Sequence, residues 1–189
     1  MILEKMYEEG FVFLKYNVPE EVLNEIKEFD KMNIPCHQVQ EPGLGGTTWE
    51  PPIEQYIPKT VTFFKNFLNE NGLAKDYLHF DLEKIKVGDY HFLHTHFTPA
   101  HYQLCAWFPL GEFEGREFVY GEEHQLKYFK PSAGDLVFFK PNDPVWLHGT
   151  TPLKSGSEVY SIGITCSPSP TRYIARDRII HSNDHVEWR

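Results

Sequence analysis

From about residue 82 the sequence breaks into seven short β-prone runs at close spacing, and no other feature restricts the fold as much. The runs are 83–93, 101–108, 116–120, 125–130, 135–139, 145–148 and 157–165, divided by Gly, Pro or Asn-Asp turns. That density predicts a mainly β, α+β fold: an antiparallel sandwich or barrel with helices packed on one side. Upstream, residues 10–16 (Gly-Phe-Val-Phe-Leu-Lys-Tyr) form one more apolar β-type run.

Pro19 opens a predicted helix over 19–32, with Val22, Leu23, Ile26 and Phe29 on one face and Glu20, Glu21, Glu25, Lys27 and Glu28 toward water. A second helix is predicted over 60–71, with a stripe of Val61, Phe64, Phe67 and Leu68 and Gly72 placed to end it. Between them, residues 33–58 hold five prolines and the Gly43-Leu44-Gly45-Gly46 tract, and read as a long loop anchored by Trp49, Ile53 and Tyr56. The tail over 167–189 is Ser/Pro-rich, then charged, and is expected on the surface. With no repeat and no composition break, 189 residues read as a single domain with a β core over about 82–166.

Hydrophobic residues at 41% and aromatics at 15% exclude a disordered chain, and no window reaches the roughly 18 apolar residues of a membrane span. A formal charge of −9 argues against nucleic-acid or anionic-membrane partners. The start lacks a basic segment followed by an apolar one. Cys36, Cys105 and Cys166 are odd in number, widely spaced and without a CxxC pair, so they read as reduced thiols in a cytoplasmic protein.

Chemistry concentrates in Gly88-Asp89-Tyr90-His91-Phe92-Leu93-His94-Thr95-His96, followed by His101. In a strand, His94 and His96 point to one face, where two imidazoles can take adjacent corners of a metal's coordination sphere. His148, ending the apolar run Pro144-Val145-Trp146-Leu147-His148, is the candidate third ligand. His91 and His101 fall on the other face of a straight strand and are second choices, while His37, His79, His124, His181 and His185 read as bystanders. Glu83, Glu112, Glu114, Glu117, Glu122 and Glu123 read as solvated turn glutamates, and Cys105 as a core residue. No Gly-x-Ser-x-Gly elbow or phosphate-cradling loop is present.

Over residues 10 to about 165 the chain resembles the iron(II)/2-oxoglutarate-dependent oxygenases of the prolyl-hydroxylase kind. The family places a Gly six residues before its His-x-Asp metal motif, as Gly88 precedes His94. Its Phe-Glu-Gly-Gly-Glu turn is matched by Phe113-Glu114-Gly115-Arg116-Glu117, and its Pro-x-x-Gly-Asp-x-x-Phe-Phe segment by Pro131 to Phe139. The distal His, with Pro four and Gly eight residues on, corresponds to His148, Pro152 and Gly156. The resemblance implies a double-stranded β-helix, or jelly roll, with Fe(II) and 2-oxoglutarate as cofactors. It also implies hydroxylation by O2 of a small molecule or an amino-acid or peptide side chain.

Two departures stand out. His96 replaces the family's metal-binding Asp, and Glu158 (or Val159, with one insertion) stands where the co-substrate Arg is expected. Glu158 would repel a carboxylate, and Arg116 could supply the missing cation, with Lys140 or Lys154 as substitutes. Gly88 with His94-Thr95-His96 also satisfies the first cupin motif, Gly-x5-His-x-His. Two alternatives therefore stand: a three-His cupin-type dioxygenase without 2-oxoglutarate, and a metal-binding jelly roll without oxygenase activity. The interior is expected to be lined by Phe92, Phe97, Trp107, Phe138 and Trp146.

Overall fold

The structure, a computed structural model, describes residues 1–32, 34–35, 37–38, 47–49, 53–74, 76–97, 99–169 and 175–180. Cys36, the Gly43–Gly46 tract, His181 and His185 lie outside the described residues, as do the side chains of His37, Trp49 and Phe97.

The chain opens with α1 (Ile2–Glu9), β1 (Phe11–Lys15) and α2 (Glu20–Asp30), and continues through β2 (His37–Gln38), β3 (Thr47–Trp49), a short 3-10 turn and α3 (Pro58–Glu70). The strands that follow are β4 (Tyr77–Ile85), β5 (His91–Phe97), β6 (Tyr102–Pro109), β7 (Phe113–Gly115), β8 (Phe118–Glu122) and β9 (Gln125–Phe129). The last are β10 (Asp135–Phe139), β11 (Leu147–Thr150), β12 (Leu153–Gly156), β13 (Val159–Ser167) and β14 (Ala175–Ile180). They form a seven-stranded sheet in the order β1-β10-β6-β13-β4-β3-β2, a five-stranded sheet β14-β5-β11-β8-β9, and the ribbon β12-β7. From β4 onward the chain passes back and forth between the two large sheets, with the hairpin β8–β9 in one of them and the ribbon β12-β7 beside them, which makes the expected double-stranded β-helix.

Strands β1, β10, β6, β13 and β4 of the seven-stranded sheet have two faces with different partners. Phe80, Leu82, Leu104, Ala106, Leu136, Phe138, Ile162 and Ile164 pack against Val22, Ile26 and Phe29 of α2 and Val61, Phe64, Phe67 and Leu68 of α3. The predicted helical stripes are thus the covered ones. The opposite face builds the barrel interior, where Phe11, Ile85, Trp107, Phe118, Val137, Phe139, Leu153 and Val159 form a second cluster. Glu25, expected toward water, instead accepts from the backbone N–H groups of Lys59 and Thr60 at 3.0 and 2.7 Å and so caps α3.

Several boundaries differ from the sequence reading. The run 83–93 is two strands joined by a turn at Gly88, where φ is +95°. The helix α1 was not foreseen, because eight residues cover barely two turns, too short a stretch to read a helical period from. The tail is not wholly a surface segment: Ser167 is buried at the end of β13, and 175–180 pair antiparallel with β5. That pairing covers what would otherwise be the exposed edge of the strand carrying His94 and His96. Among the described residues no helix is long and apolar enough to cross a membrane.

Candidate metal centre

The three histidines singled out by spacing meet inside the barrel. On β5 the alternation sends Leu93 to an outer cluster with Val119 and Leu147, and His94 and His96 inward. His148 lies directly opposite His94 in the antiparallel β11–β5 pair. One ring nitrogen from each of the three lies within 4.8 Å of the others, and all three residues are buried. His94 Nε2 and His96 Nε2 are 2.9 Å apart. His94 Nδ1 donates to the Phe92 carbonyl at 2.7 Å, which fixes the neutral tautomer and directs the Nε2 lone pair to the centre. Three neutral imidazoles converging in a buried pocket are a donor set that fits a divalent transition metal.

His91, expected on the far face, also points inward. The β11–β5 register shifts between His148 and Thr150, a bulge that inverts the alternation of β5. Gly149 permits it, since a Cβ there would lie 2.8 Å from the carbonyl oxygens of both His91 and Phe92. His91 Nε2 then contacts Glu83 Oε1 at 2.6 Å, which draws Glu83, read as a solvated glutamate, into the barrel. His101 stays outside, half exposed on Asp76 at 2.7 Å.

Arg116 is fully buried, at 1% exposure, in the turn between β7 and β8. Its Nη1 donates to Thr150 Oγ1 at 2.6 Å, two residues beyond His148 on the same face. Its Nη2 lies 3.6 Å from Glu83 Oε2, and its Nε is buried without a hydrogen-bond partner. Burial lowers the guanidinium pKa, opposed by Glu83 and then Asp89.

Glu158 does not face this interior. It pairs with Lys84, on the side where Tyr160 and Asp30 meet, and Val159 is the residue of β13 that enters the barrel. The expected repulsion of a carboxylate is therefore removed by strand parity: the inserted-residue alignment is the one the strand adopts. Lys140 lies over the ring of Tyr7 at 5.9 Å and Lys154 is exposed, leaving Arg116 as the inward cation among the described candidates. Trp107 and Trp146 pack with the interior cluster as expected, whereas Phe138 lies on the helix side. Cys105 packs against the interior cluster rather than the helix-side core, and burial, then Asp81 and Glu83, push its thiol pKa up, away from the reactive thiolate. The residues missed were Thr150 and Tyr120. Counting by two from His148 finds Thr150, and Tyr120 is paired directly with His148 across β8–β11.

No family model matches the chain, and no curated protein matches it by sequence. Solved structures do. A Pseudomonas putida prolyl-4-hydroxylase superposes with a TM-score of 0.65 at 12% identity, covering 88% of this chain and 97% of that one. A 2OG-Fe(II) oxygenase family oxidoreductase from Burkholderia pseudomallei gives 0.66 at 14% identity, over 89% and 90%. The viral collagen prolyl hydroxylase of Paramecium bursaria Chlorella virus-1, in its 2OG complex, gives 0.55 at 18%, over 83% and 96%. In fold, the chain is a double-stranded β-helix similar to the iron(II)/2-oxoglutarate oxygenases of the prolyl-hydroxylase kind, with a His-x-His pair where their resemblance calls for His-x-Asp.

Proposed function

We propose that this single-domain chain is a non-haem iron(II) oxygenase in which His94, His96 and His148 hold the metal and Arg116 receives the distal carboxylate of 2-oxoglutarate. The observation that carries the reading is Arg116: a guanidinium buried to 1% exposure, linked through Thr150 to the strand of His148, with its Nε still lacking an acceptor. Glu83 at 3.6 Å meets one edge of the guanidinium, and the unpartnered Nε leaves the other edge able to receive a second carboxylate.

Iron(II) bound there supplies O2 activation coupled to oxidation of the oxo-acid. The chain's own residues do the rest. His94 is held in its tautomer by the Phe92 carbonyl. Thr150 orients Arg116, so that a carboxylate bound to the guanidinium extends toward the histidines. Trp107, Phe118 and Phe139 wall the interior against water, with the Phe139 ring 4.5 Å from that of His148. The substrate class is a small molecule or an amino-acid or peptide side chain, and the reading puts the protein in the cytoplasm.

The test is anaerobic. Protein loaded with Fe(II) and titrated with 2-oxoglutarate develops the charge-transfer absorption of a chelated oxo-acid, and Arg116→Ala loses it at the same concentration. One observation favours a second reading: Glu83 at 3.6 Å already balances Arg116, as suits a three-His dioxygenase that binds its substrate directly. In that case iron binds, the absorption never appears and no succinate forms. Failure to bind metal at all would leave a jelly roll without oxygenase chemistry.

A further inference from the structure

Four residues close a ring of polar contacts inside the barrel, and His91 enters it twice. Its backbone N–H donates to Thr150 Oγ1 at 2.9 Å, the same oxygen that receives Arg116 Nη1 at 2.6 Å. Its ring Nε2 meets Glu83 Oε1 at 2.6 Å, and Glu83 Oε2 lies 3.6 Å from Arg116 Nη2. The bulge opposite Gly149 is what turns the His91 ring into this position.

The two contacts of Glu83 are unequal. The one with His91 is a short hydrogen bond between largely enclosed groups, with 13% of the Glu83 and 19% of the His91 side chain exposed. The 3.6 Å to the guanidinium is beyond hydrogen-bond length. With the carboxylate ionised, the proton of the first contact lies on His91 Nε2, which donates. Glu83 therefore offsets the charge of Arg116 without accepting from its Nη2, and Arg116 Nε stays without an acceptor. Asp89, a second carboxylate whose charge reaches Arg116, accepts from the backbone N–H of Lys86 at 2.8 Å.

A carboxylate with both oxygens able to turn closes on a guanidinium as a bidentate pair, and here it would cover the edge that a ligand needs. The hydrogen bond at Oε1 prevents this. We infer that His91 is a positioning residue for the co-substrate, holding Glu83 close enough to balance Arg116 and too far to occupy the N–H groups that receive a ligand carboxylate. This inference rests on the reading of Arg116 above and assigns the affinity of that site to a histidine outside the metal set.

The test is calorimetry under nitrogen on the full chain loaded with Fe(II), with 2-oxoglutarate and with pyruvate, which has the same oxo-acid head and no distal carboxylate. His91→Phe keeps a ring in the space and removes the donor. It should weaken 2-oxoglutarate about tenfold, the effect of one charge-assisted hydrogen bond, and leave pyruvate unchanged. Glu83→Gln removes the competing charge and should bind 2-oxoglutarate at least as tightly as the parent. In the double variant the loss caused by His91→Phe should vanish, because the group it acts through is gone. Unchanged 2-oxoglutarate affinity in His91→Phe, equal weakening of both acids, or a loss that persists in the double variant overturns the inference. Should His91→Phe fail to fold, Glu83→Gln serves alone, and weaker 2-oxoglutarate binding than in the parent overturns the proposal. A parent that binds both acids equally and is indifferent to Arg116→Ala strikes the reading of Arg116 and the inference with it. A parent preference for 2-oxoglutarate that Arg116→Ala removes and His91→Phe leaves intact strikes the inference alone.

Discussion

Glu158 and Lys84 form an ion pair 2.5 Å long on the helix side of the seven-stranded sheet, where Lys84 also contacts Asp30 of α2 at 2.6 Å. The contact ties the acid to the scaffold and turns it from the barrel. Glu158→Ala should therefore leave 2-oxoglutarate affinity unchanged. Glu158 is more than a third exposed and Lys84 keeps Asp30, so the loss of stability should stay below about 1 kcal/mol by urea unfolding.

The same cluster sets a pH range for stability. Burial alone would raise the Asp30 carboxyl pKa, but hydrogen bonds from Lys84 and Tyr160 bring it below its usual 3.8. For Lys84, burial is likewise overturned by Asp30 and Glu158, which lift it above 10.5, and burial with Asp30 raises Tyr160 above 10.0. A lowered acid stabilises the fold above its unfolded pKa and is lost as pH falls through the folded one. The raised groups stabilise below their unfolded pKa values and are lost as pH rises. The urea midpoint should be flat between about pH 4 and 10 with respect to this cluster, and Asp30→Asn should flatten the decline on the acid side.

Metal retention tests the histidines one at a time. His148→Ala and His94→Ala should each abolish stoichiometric metal, measured by elemental mass spectrometry, with circular dichroism unchanged. His96→Ala should lower affinity by at least the order of 10–100-fold that loss of a supporting group costs. His96→Asp should restore binding with a lower Fe(III)/Fe(II) potential, because a carboxylate adds the negative charge that imidazole lacks. Unchanged affinity in His96→Ala would reduce the site to two histidines.

Arg116→Lys is the stringent variant for the anion site. A lysine retains the charge but not the planar fork that donates to Thr150 while offering further N–H groups. It should weaken 2-oxoglutarate about tenfold or more by calorimetry and leave metal content unchanged.

Much of this was written in short-range pattern. Period two put His94 and His96 on one face, and the helical stripes Val22-Ile26-Phe29 and Val61-Phe64-Phe67-Leu68 cover the sheet as their spacing required. What escaped pattern was parity. A bulge opposite Gly149 turns His91 inward, and β13 begins at Val159, which sends Glu158 outward. Both are decided by which residues pair across strands far apart in sequence, and a one-residue slip exchanges the two faces. Arg116 was named from the sequence as a replacement cation, but its enclosure was not legible there: a charged residue in a turn usually reaches water, and the pairing of β7 with β12 beside it closes that route.

Arg116 is also the non-glycine residue with a left-handed backbone among those described, at φ +51°. Such a conformation costs about 1–2 kcal/mol in an L-residue with a side chain. Glycine would adopt it freely, and Glu83 would keep His91 as a partner. Arg116→Gly should therefore relieve that backbone cost yet melt at a lower temperature than the parent protein, because it empties the space of one of the largest fully buried side chains and removes the partner of Thr150, and it should gain no further rise with 2-oxoglutarate. The turn thus holds an unfavourable backbone only as long as its side chain stays enclosed, so a glycine here would be conformationally easier and still a worse fit for this interior.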